Sequence, residues 1–419
     1  MTMPQTMPQS ESLSPLPSAD VAICGGGPVG LALAALLARR GMPADRIAVL
    51  DARPLSVARI DPRAIALSAG SARLLQEIDA WPLAASTIRQ IHVSRRGHFG
   101  RSLIDSADYG LPALGHVCRY GVLVDALSAA CTRAGVRVHR PETITGLTES
   151  ESTATLALAS GASLSAGIVV QAEGGLFGAQ PERARRRDYQ QTAIVAQVAA
   201  SASLPERAFE RFTDEGPLAL LPQAPQRISA TSATGVIGTS NAGGTDPMLD
   251  YALVWCMRPE SAIRLMALTE AAFLIALQDA FGERVGRFTA VTPRTMYPLG
   301  LNADAATSAR TVAIGNAAQT LHPVAGQGLN LGLRDAAVLA RLLVRSTART
   351  APAAVRQFVQ DRQSDRGMTI RLTDIMARVF ASAPAGALSQ GLLGLSLGLV
   401  DAVPPARRLL AEQMMYGRR

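Results

Sequence analysis

Apolar residues fall in two kinds of pattern along this chain. The first ordered one is a short continuous run, Val21-Ala22-Ile23-Cys24, bounded by glycines. A run of that length and setting predicts a buried strand. Gly25-Gly26-Gly27-Pro28-Val29-Gly30 follows as a turn, and the Ala/Leu-rich stretch to Arg40 predicts a helix. Ile47-Ala48-Val49-Leu50 reads as a second buried strand, ending at Asp51. Strand, helix, strand in that order implies a parallel pair joined by a right-handed crossover. Residues 121–134 predict a helix and Val136–His139 a short strand. Alternation over 152–158 and the run Ile168-Val169-Val170 predict a hairpin and another buried strand.

From 186 to 292 the character changes. Strand-like pieces, Thr192–Ala199, Gly216–Leu221 and Tyr251–Met257, are separated by Ser, Gly, Thr and Asn turns, with one helix expected over about 260–281. That is the composition of an antiparallel sheet, hence of a second domain. Helical periodicity returns from Leu329 to about Ser346 and again through 353–380. Val21–Ala38 is long enough to cross a bilayer, but four Gly and a Pro in its first ten residues argue for strand, turn and helix instead. Residues 1–18, rich in Met, Pro, Gln and Ser, read as a disordered tail and not a signal peptide.

Composition narrows the chemistry. The 419 residues are 48% hydrophobic and carry a net charge of +8, and all 41 basic residues are Arg. Without Lys there is no Schiff-base catalyst and no P-loop built on the usual Lys. The five His (His92, His98, His116, His139, His322) and four Cys (Cys24, Cys118, Cys131, Cys256) lie far apart, with no metal-ligand spacing. No metal site is expected. Few scattered Cys suggest a reducing compartment, so a cytoplasmic protein is expected. Aromatics are only 4% and the Arg are dispersed, which makes solvated surface a better reading than a nucleic-acid footprint.

Two glycine-rich helix starts carry the functional signal. Gly25, Gly27 and Gly30 satisfy G-x-G-x-x-G between a strand and a helix, where bare backbone and the helix N-terminus can meet a pyrophosphate. Asp51 ends the second strand 21 residues after Gly30, placed to accept from adenosine ribose hydroxyls. Further on, the strand-like Thr311–Ile314 enters Gly315-Asn316, and His322-Pro323-Val324-Ala325-Gly326-Gln327-Gly328-Leu329-Asn330 opens a second helix. That helix start suits developing negative charge, such as the N1/C2-carbonyl edge of a reduced flavin; an ordinary helix start is the alternative.

The segment Gly315–Asp335 resembles the flavin segment of the FAD-dependent aromatic hydroxylases of ubiquinone biosynthesis. The likeness extends through Asp61–Ser68, Gln191–Ala193, Ala208–Pro222, Tyr297–Leu299 and Asp361–Arg366, and is nearest to the 2-polyprenyl-6-methoxyphenol hydroxylase branch. It implies an α/β fold like p-hydroxybenzoate hydroxylase: a Rossmann-like FAD/NAD(P)-binding domain, an inserted antiparallel substrate sheet and C-terminal helices. The implied division gives the FAD domain residues 19–84, 117–185 and 293–345, and the substrate domain 85–116 and 186–292. A C-terminal helical region would take 346–419. The resemblance implies FAD as cofactor, NAD(P)H as reductant, O2 as co-substrate and hydroxylation of a polyprenylated phenol by a flavin C4a-hydroperoxide. The chemistry is then the flavin's own, and no side-chain nucleophile is expected.

By that resemblance Gly25, Gly27, Gly30 and Asp51 hold the ADP half of FAD, with Arg63 a further contact and Arg119 either a contact or a surface cation. Glu173, Gly315, Asn316, Pro323, Gly326, Gln327, Gly328, Leu329 and Asn330 surround the flavin half. Pro217, Leu218, Ala219, Leu220, Tyr297 and Pro298 wall the substrate cavity, with core packing as the competing explanation for each Leu. Three departures stand out: Glu173-Gly174 replaces Asp-Gly, Gly315-Asn316 replaces Gly-Asp, and Ala318-Gln319 replaces Ala-His. Asn316 can accept from ribityl hydroxyls only without charge assistance, a loss of about 1–2 kcal/mol. Two other functions stay open: a flavin hydroxylase of soluble aromatics, and a flavin-poor scaffold subunit of a ubiquinone-biosynthesis complex. Leu392–Val400, apolar and followed by Arg407-Arg408, reads either as a packed terminal helix or as a peripheral contact with the inner membrane face or with partner proteins.

Overall fold

The computed structural model describes residues 16–96, 101–174, 185–227, 248–303, 307–320, 326–347 and 349–382. Pro323, most of the N-terminal tail and the Leu392–Arg408 stretch lie outside these residues. The chain opens with β1 (Ala19–Cys24), α1 (Pro28–Arg39), β2 (Ile47–Leu50), α2 (Leu55–Arg59), β3 (Ala64–Ser68), α3 (Ala69–Glu77) and β4 (Ala85–Ile88). Next come β5 (Gln90–Arg95), β6 (Arg101–Asp105), β7 (Gly115–Arg119), α4 (Tyr120–Arg133), β8 (Arg137–His139), β9 (Ile144–Glu149), β10 (Ala154–Leu158) and β11 (Ser163–Gln171). The middle holds β12 (Arg185–Ala200), β13 (Arg207–Phe212), β14 (Pro217–Arg227), β15 (Met248–Met257), α5 (Pro259–Met266), α6 (Glu270–Phe281), β16 (Phe288–Val291) and β17 (Thr295–Ala303). β18 (Thr311–Ala313), α7 (Gln327–Leu343) and α8 (Ala351–Ser382) complete it.

Three sheets organise these elements. The first runs β8-β2-β1-β11-β10-β9, with β18 also paired to β11. Its β8, β2, β1, β11 and β18 are parallel, while β10 and β9 run antiparallel. β1 is apolar on both faces because both are covered: Val21 and Ile23 pack among α1, α4 and α7, and Ala19, Ala22 and Cys24 pack with Leu156 and Leu164. Leu16 joins that second cluster and donates its N–H to Ser163 O at 2.9 Å, so the described end of the expected tail is anchored. The second sheet, β16-β12-β15-β14-β13-β5-β6 with β17 on β12, is antiparallel except where β13 meets β5. A small third sheet, β3-β7-β4, contacts β14 of the second sheet through β4 and β7, and α3, α4 and α7 through β3 and β7.

Several expectations change in detail. The resemblance gives residues 295–303 to the FAD domain, but β17 pairs with β12 along nine positions and belongs to the second, largely antiparallel sheet. Residues 85–88, assigned with the substrate domain, pair with β7 in the small sheet. The single helix over 260–281 is two. Thr269 Oγ1 accepts from Ala272 N at 3.3 Å as an N-cap, and Arg294 Nη1 and Nη2 take the Leu265 and Leu268 carbonyls at 3.1 and 2.7 Å. An N-cap and a cation on the last carbonyls end one helix and start another more favourably than continuing.

Candidate cofactor and substrate site

The first glycine turn is stitched to strands on both sides. Gly25 N donates to Leu50 O and Ala172 N donates to Cys24 O, each at 2.7 Å. Gly25 has φ +110°, and a Cβ at Gly30 would collide with the Gly25 carbonyl oxygen, so both positions require glycine. α1 starts at Gly27 with no side-chain cap, which leaves its first N–H groups for a ligand. Asp51 is buried. Its Oδ2 accepts from Gly26 N at 2.7 Å and its Oδ1 from Arg53 N at 2.8 Å. It therefore braces the turn.

Arg140, just after β8, was not anticipated. Its Nη2 donates to the Gly26 carbonyl and lies 3.3 Å from Asp51 Oδ2, while Nε and Nη1 are buried without a partner. A guanidinium with spare buried donors beside a glycine turn suits a diphosphate.

The second glycine start converges on the same end of the parallel sheet. Asn316 follows β18 in a short turn, its Cβ beside Gly174 and its Oδ1 beside Gly328, both at 3.8 Å from an ideal Cβ there. The Glu173-Gly174 pair thus meets the segment that holds Gly315, Asn316 and Gly328, although more than 140 residues separate the two in chain. Burial pushes the Glu173 carboxyl up, and the Asp51 charge adds to this. α7 begins at Gly326, left-handed at φ +60°, again with no side-chain cap. Gln327 is buried, and Leu329 packs against the apolar cluster around α7. Asn330 is a clamp rather than a contact: Oδ1 accepts from Ser68 N (2.8 Å) and Ser71 Oγ (2.7 Å), and Nδ2 donates to Ala66 O (3.0 Å) and Gly326 O (2.8 Å). An amide that makes all four of its bonds has nothing left for a cofactor.

Behind this turn lies a buried ionic cluster. Asp335, with no exposure, accepts from Gly315 N and Gln319 Nε2 at 3.1 Å, from Arg362 Nε at 2.8 Å and from Arg366 Nη2 at 2.9 Å. Burial alone would raise its carboxyl, but the charges of Arg366 and Arg362 and their hydrogen bonds outweigh that and hold it below the usual range. Gln319, one of the departures noted above, serves this cluster.

Arg63 is engaged rather than free. It chelates Asp61, with Nη2–Oδ2 at 2.7 Å, and stacks over Tyr120 at 4.8 Å. Arg119 is the more available cation: its Nε and Nη2 are buried without a partner, and burial lowers its pKa. Register with Ala64 places Arg119 on the same face of the small sheet as Val117, which packs against Ala208 of the large sheet.

The large sheet has two distinct faces. Leu218 and Leu220 are fully buried with Ile194, Leu253, Trp255, Phe273 and Phe281 beneath α5 and α6. They are core residues and do not wall a cavity, because alternation turns them away from it. Pro217 and Ala219 point the other way, in register with Cys256 and Val254, and Ala193 and Val195 continue the rows. Tyr297, half-buried and paired with Ala193, shares this face; Pro298 is exposed on the opposite one. A charged group missed from sequence also lies here. Phe209 and Arg211 turn to the helix side, where Arg211 Nε donates to Ala280 O at 2.9 Å, so Glu210 faces Ala219 on the other side.

A family model of the FAD binding domain matches residues 18–365. Ubiquinone hydroxylase UbiL of Rhodospirillum rubrum is 31% identical over 95% of this chain and 89% of its own. The chain belongs to the FAD-binding hydroxylase family. The 3-demethoxyubiquinol 3-hydroxylase of Escherichia coli is 26% identical over 78% of this chain and 80% of its own. Among solved structures, p-nitrophenol 4-monooxygenase PnpA from Pseudomonas putida superposes with a TM-score of 0.70 at 17% identity, covering 96% of this chain and 99% of that one. A probable FAD-dependent monooxygenase, pqsL from Pseudomonas aeruginosa, gives 0.68 at 20% identity over 91% and 100%. These structures share the fold: an α/β FAD-binding part with an added antiparallel sheet.

The residues present fit FAD. Two uncapped helix starts, a glycine turn that admits no Cβ, and buried guanidinium donors on Arg140 and Arg119 without partners all point to a ligand that is anionic and extended. All four cysteines are free and buried, and burial pushes the Cys24, Cys118 and Cys131 thiols up to about 12. They are poor nucleophiles in that state.

Proposed function

We propose that this chain hydroxylates a polyprenylated phenol in ubiquinone biosynthesis, with NAD(P)H as electron donor and O2 as oxygen source. The observation that carries the substrate class is the wall formed by Ala193, Val195, Ala219, Val254 and Leu299. None of these positions offers a cation for a benzoate carboxylate, and all suit a ring with a hydrocarbon chain. The relatives' names point the same way.

FAD, when bound and reduced, supplies an electrophilic oxygen drawn from O2. The chain's own residues bind and orient. The Gly25–Gly30 turn, the α1 N-terminus and Arg140 would meet the diphosphate, with Asp51 at the ribose. Asn316, Gly326, Gln327, Gly328 and Leu329 would meet the flavin half, and Arg119 would reach it from the small sheet. The apolar face of the large sheet would hold the phenol and exclude water. A lipid-dwelling substrate also favours a peripheral position at the inner membrane face. No helix among the described residues is long and apolar enough to cross a membrane.

Two measurements test the reading. Purified chain reconstituted with FAD should be yellow and should consume NAD(P)H and O2 while adding one oxygen to 2-geranylphenol, read by mass spectrometry. A strain lacking this chain should accumulate a prenylated phenol short of one hydroxyl. Flavin-free protein after reconstitution with excess FAD would favour the scaffold alternative, and turnover of soluble benzoates alone would favour the other.

A further inference from the structure

Glu210 sits where the wall of the large sheet is otherwise apolar. On β13 its neighbours Phe209 and Arg211 go to the helix side, so its carboxylate faces the opposite way, between Val93 of β5 and Ala219 of β14. Ala208, two residues before it, packs with Ala64 and Val117 of the small sheet. β3 continues from Ala64 to Ala66, whose side chain meets Gly326 at the start of α7. Glu210 therefore lies on the side of the sheet that looks toward the second glycine turn. Among the described residues it makes no hydrogen bond or ion pair. It lies deep enough for burial to push its carboxyl up to about 7, yet part of its surface stays accessible.

We propose that Glu210 accepts the phenolic proton of the substrate, fixing the ring in the site and acting as its general base. The assignment rests on the phenol-hydroxylase reading above. As the ring carbon bonds to the incoming oxygen, the phenol O–H bond breaks, its proton passes to the Glu210 carboxylate, and its electron pair becomes the carbonyl of a dienone. That dienone returns to an aromatic diol as its ring hydrogen leaves as a proton to water and the carbonyl oxygen takes back the proton held by Glu210, which restores the carboxylate. O2 supplies the inserted oxygen, NAD(P)H the two electrons, and the second oxygen leaves as water. One acceptor in an apolar wall also sets the ring's rotation: the hydroxyl lies at Glu210 and the prenyl chain along the alkyl side chains, which determines the carbon presented for attack.

Among the described residues, the titratable and charged groups sharing this face are few. Cys256 lies two strands away on β15, its thiol pushed well above the ordinary value by burial and by the Glu210 charge. Tyr297 is on β17, Arg95 lies two residues beyond Val93 on β5, and Arg119 is on the facing small sheet. A single ionisation near neutrality is expected from Glu210.

The test uses FAD-reconstituted full chain with 2-geranylphenol and its methyl ether as probes. In the wild type, kcat should rise with pH through one ionisation near 7, and ultraviolet difference titration should show the phenol preferred over the ether about tenfold or more. Glu210→Gln should keep its flavin spectrum, lose the ionisation, fall about a hundredfold or more in kcat, and lose most of the preference. An infrared carboxyl band that titrates near pH 7 should be present in wild type and absent from the variant. Glu210→Asp should keep the ionisation at reduced rate, which separates a missing base from a disturbed fold. Hydroxylation by Glu210→Gln with the wild-type rate, pH profile and preference overturns this assignment alone. Wild type that binds flavin but neither binds nor oxidises the phenol overturns the function reading and this assignment with it.

Discussion

Replacing Asp335 by Asn tests whether the buried cluster holds the flavin-side turn in place. The wild-type carboxylate has no exposure and receives bonds from Gly315, Gln319, Arg362 and Arg366 at 2.8 to 3.1 Å. Asn keeps the shape but turns one acceptor into a donor and removes the charge, leaving the half-buried Arg366 without its counter-ion. Arg362 retains Asp365 at 2.6 Å, so the loss is not complete. Breaking a buried pair by removing one partner costs about 3–5 kcal/mol. The variant should lose that much in urea unfolding, and its FAD affinity should fall because Gly315 N–H loses its acceptor. The pH dependence has a definite sign. A carboxyl held below its unfolded value stabilises the fold above that unfolded value, about 3.9, and loses the contribution only as pH falls through the folded one. The gap between wild type and variant should therefore be level from pH 5 to 8 and close in acid. Adding Arg366→Met should recover part of the loss, since the unpaired cation is its main source. A cost below about 1 kcal/mol with unchanged FAD affinity would refute the reasoning.

Three further outcomes follow from the site. Arg119→Ala should stabilise the flavin-free chain, since it removes buried donors without partners, while weakening FAD binding about tenfold to a hundredfold; thermal scans with and without FAD should move in opposite directions. Asn316→Asp should tighten FAD about five- to thirtyfold by restoring charge assistance, measured by flavin fluorescence quenching. Glu210→Gln should be as stable as wild type near pH 4 and more stable by up to about 3 kcal/mol at pH 8. The folded carboxyl titrates near 7 against 4.5 unfolded, so the wild type loses stability as pH rises through that window. A difference that does not change with pH would count against the raised value.

Elements that declare themselves in one local run were readable in the sequence. β1, α1 and β2 are continuous apolar segments with glycines between, and α7 carries an apolar stripe at 3.6 spacing. The small sheet was not, because β3 and β7 are short, half-buried and joined by pairing across about fifty residues. Alternation on β14 was visible, but its sense was not: only the packing of Leu218 and Leu220 under α5 and α6 says which face is core. Asp335 could have been found. It lies four residues from Leu331 and four from Leu339, a charge on the buried stripe of α7, and such a position needs a partner. Glu210 offered a weaker signal of the same kind, within a strand whose alternation was not assigned. Arg140 offered none, being 89 residues from Asp51.

The two glycine turns of the candidate site also set a timetable. Gly25–Gly30 emerges early in synthesis, whereas Gly315, Asn316 and the start of α7 emerge some three hundred residues later. At about 5–20 residues per second the interval is roughly 15–60 s. Until then β1 lacks its β11 neighbour for about half of that time, and β11 lacks β18 until the end. FAD capture is thus a closing event of synthesis rather than a nucleus for it. A ribosome that stops before residue 330 leaves a nucleotide-ready turn with no flavin seat.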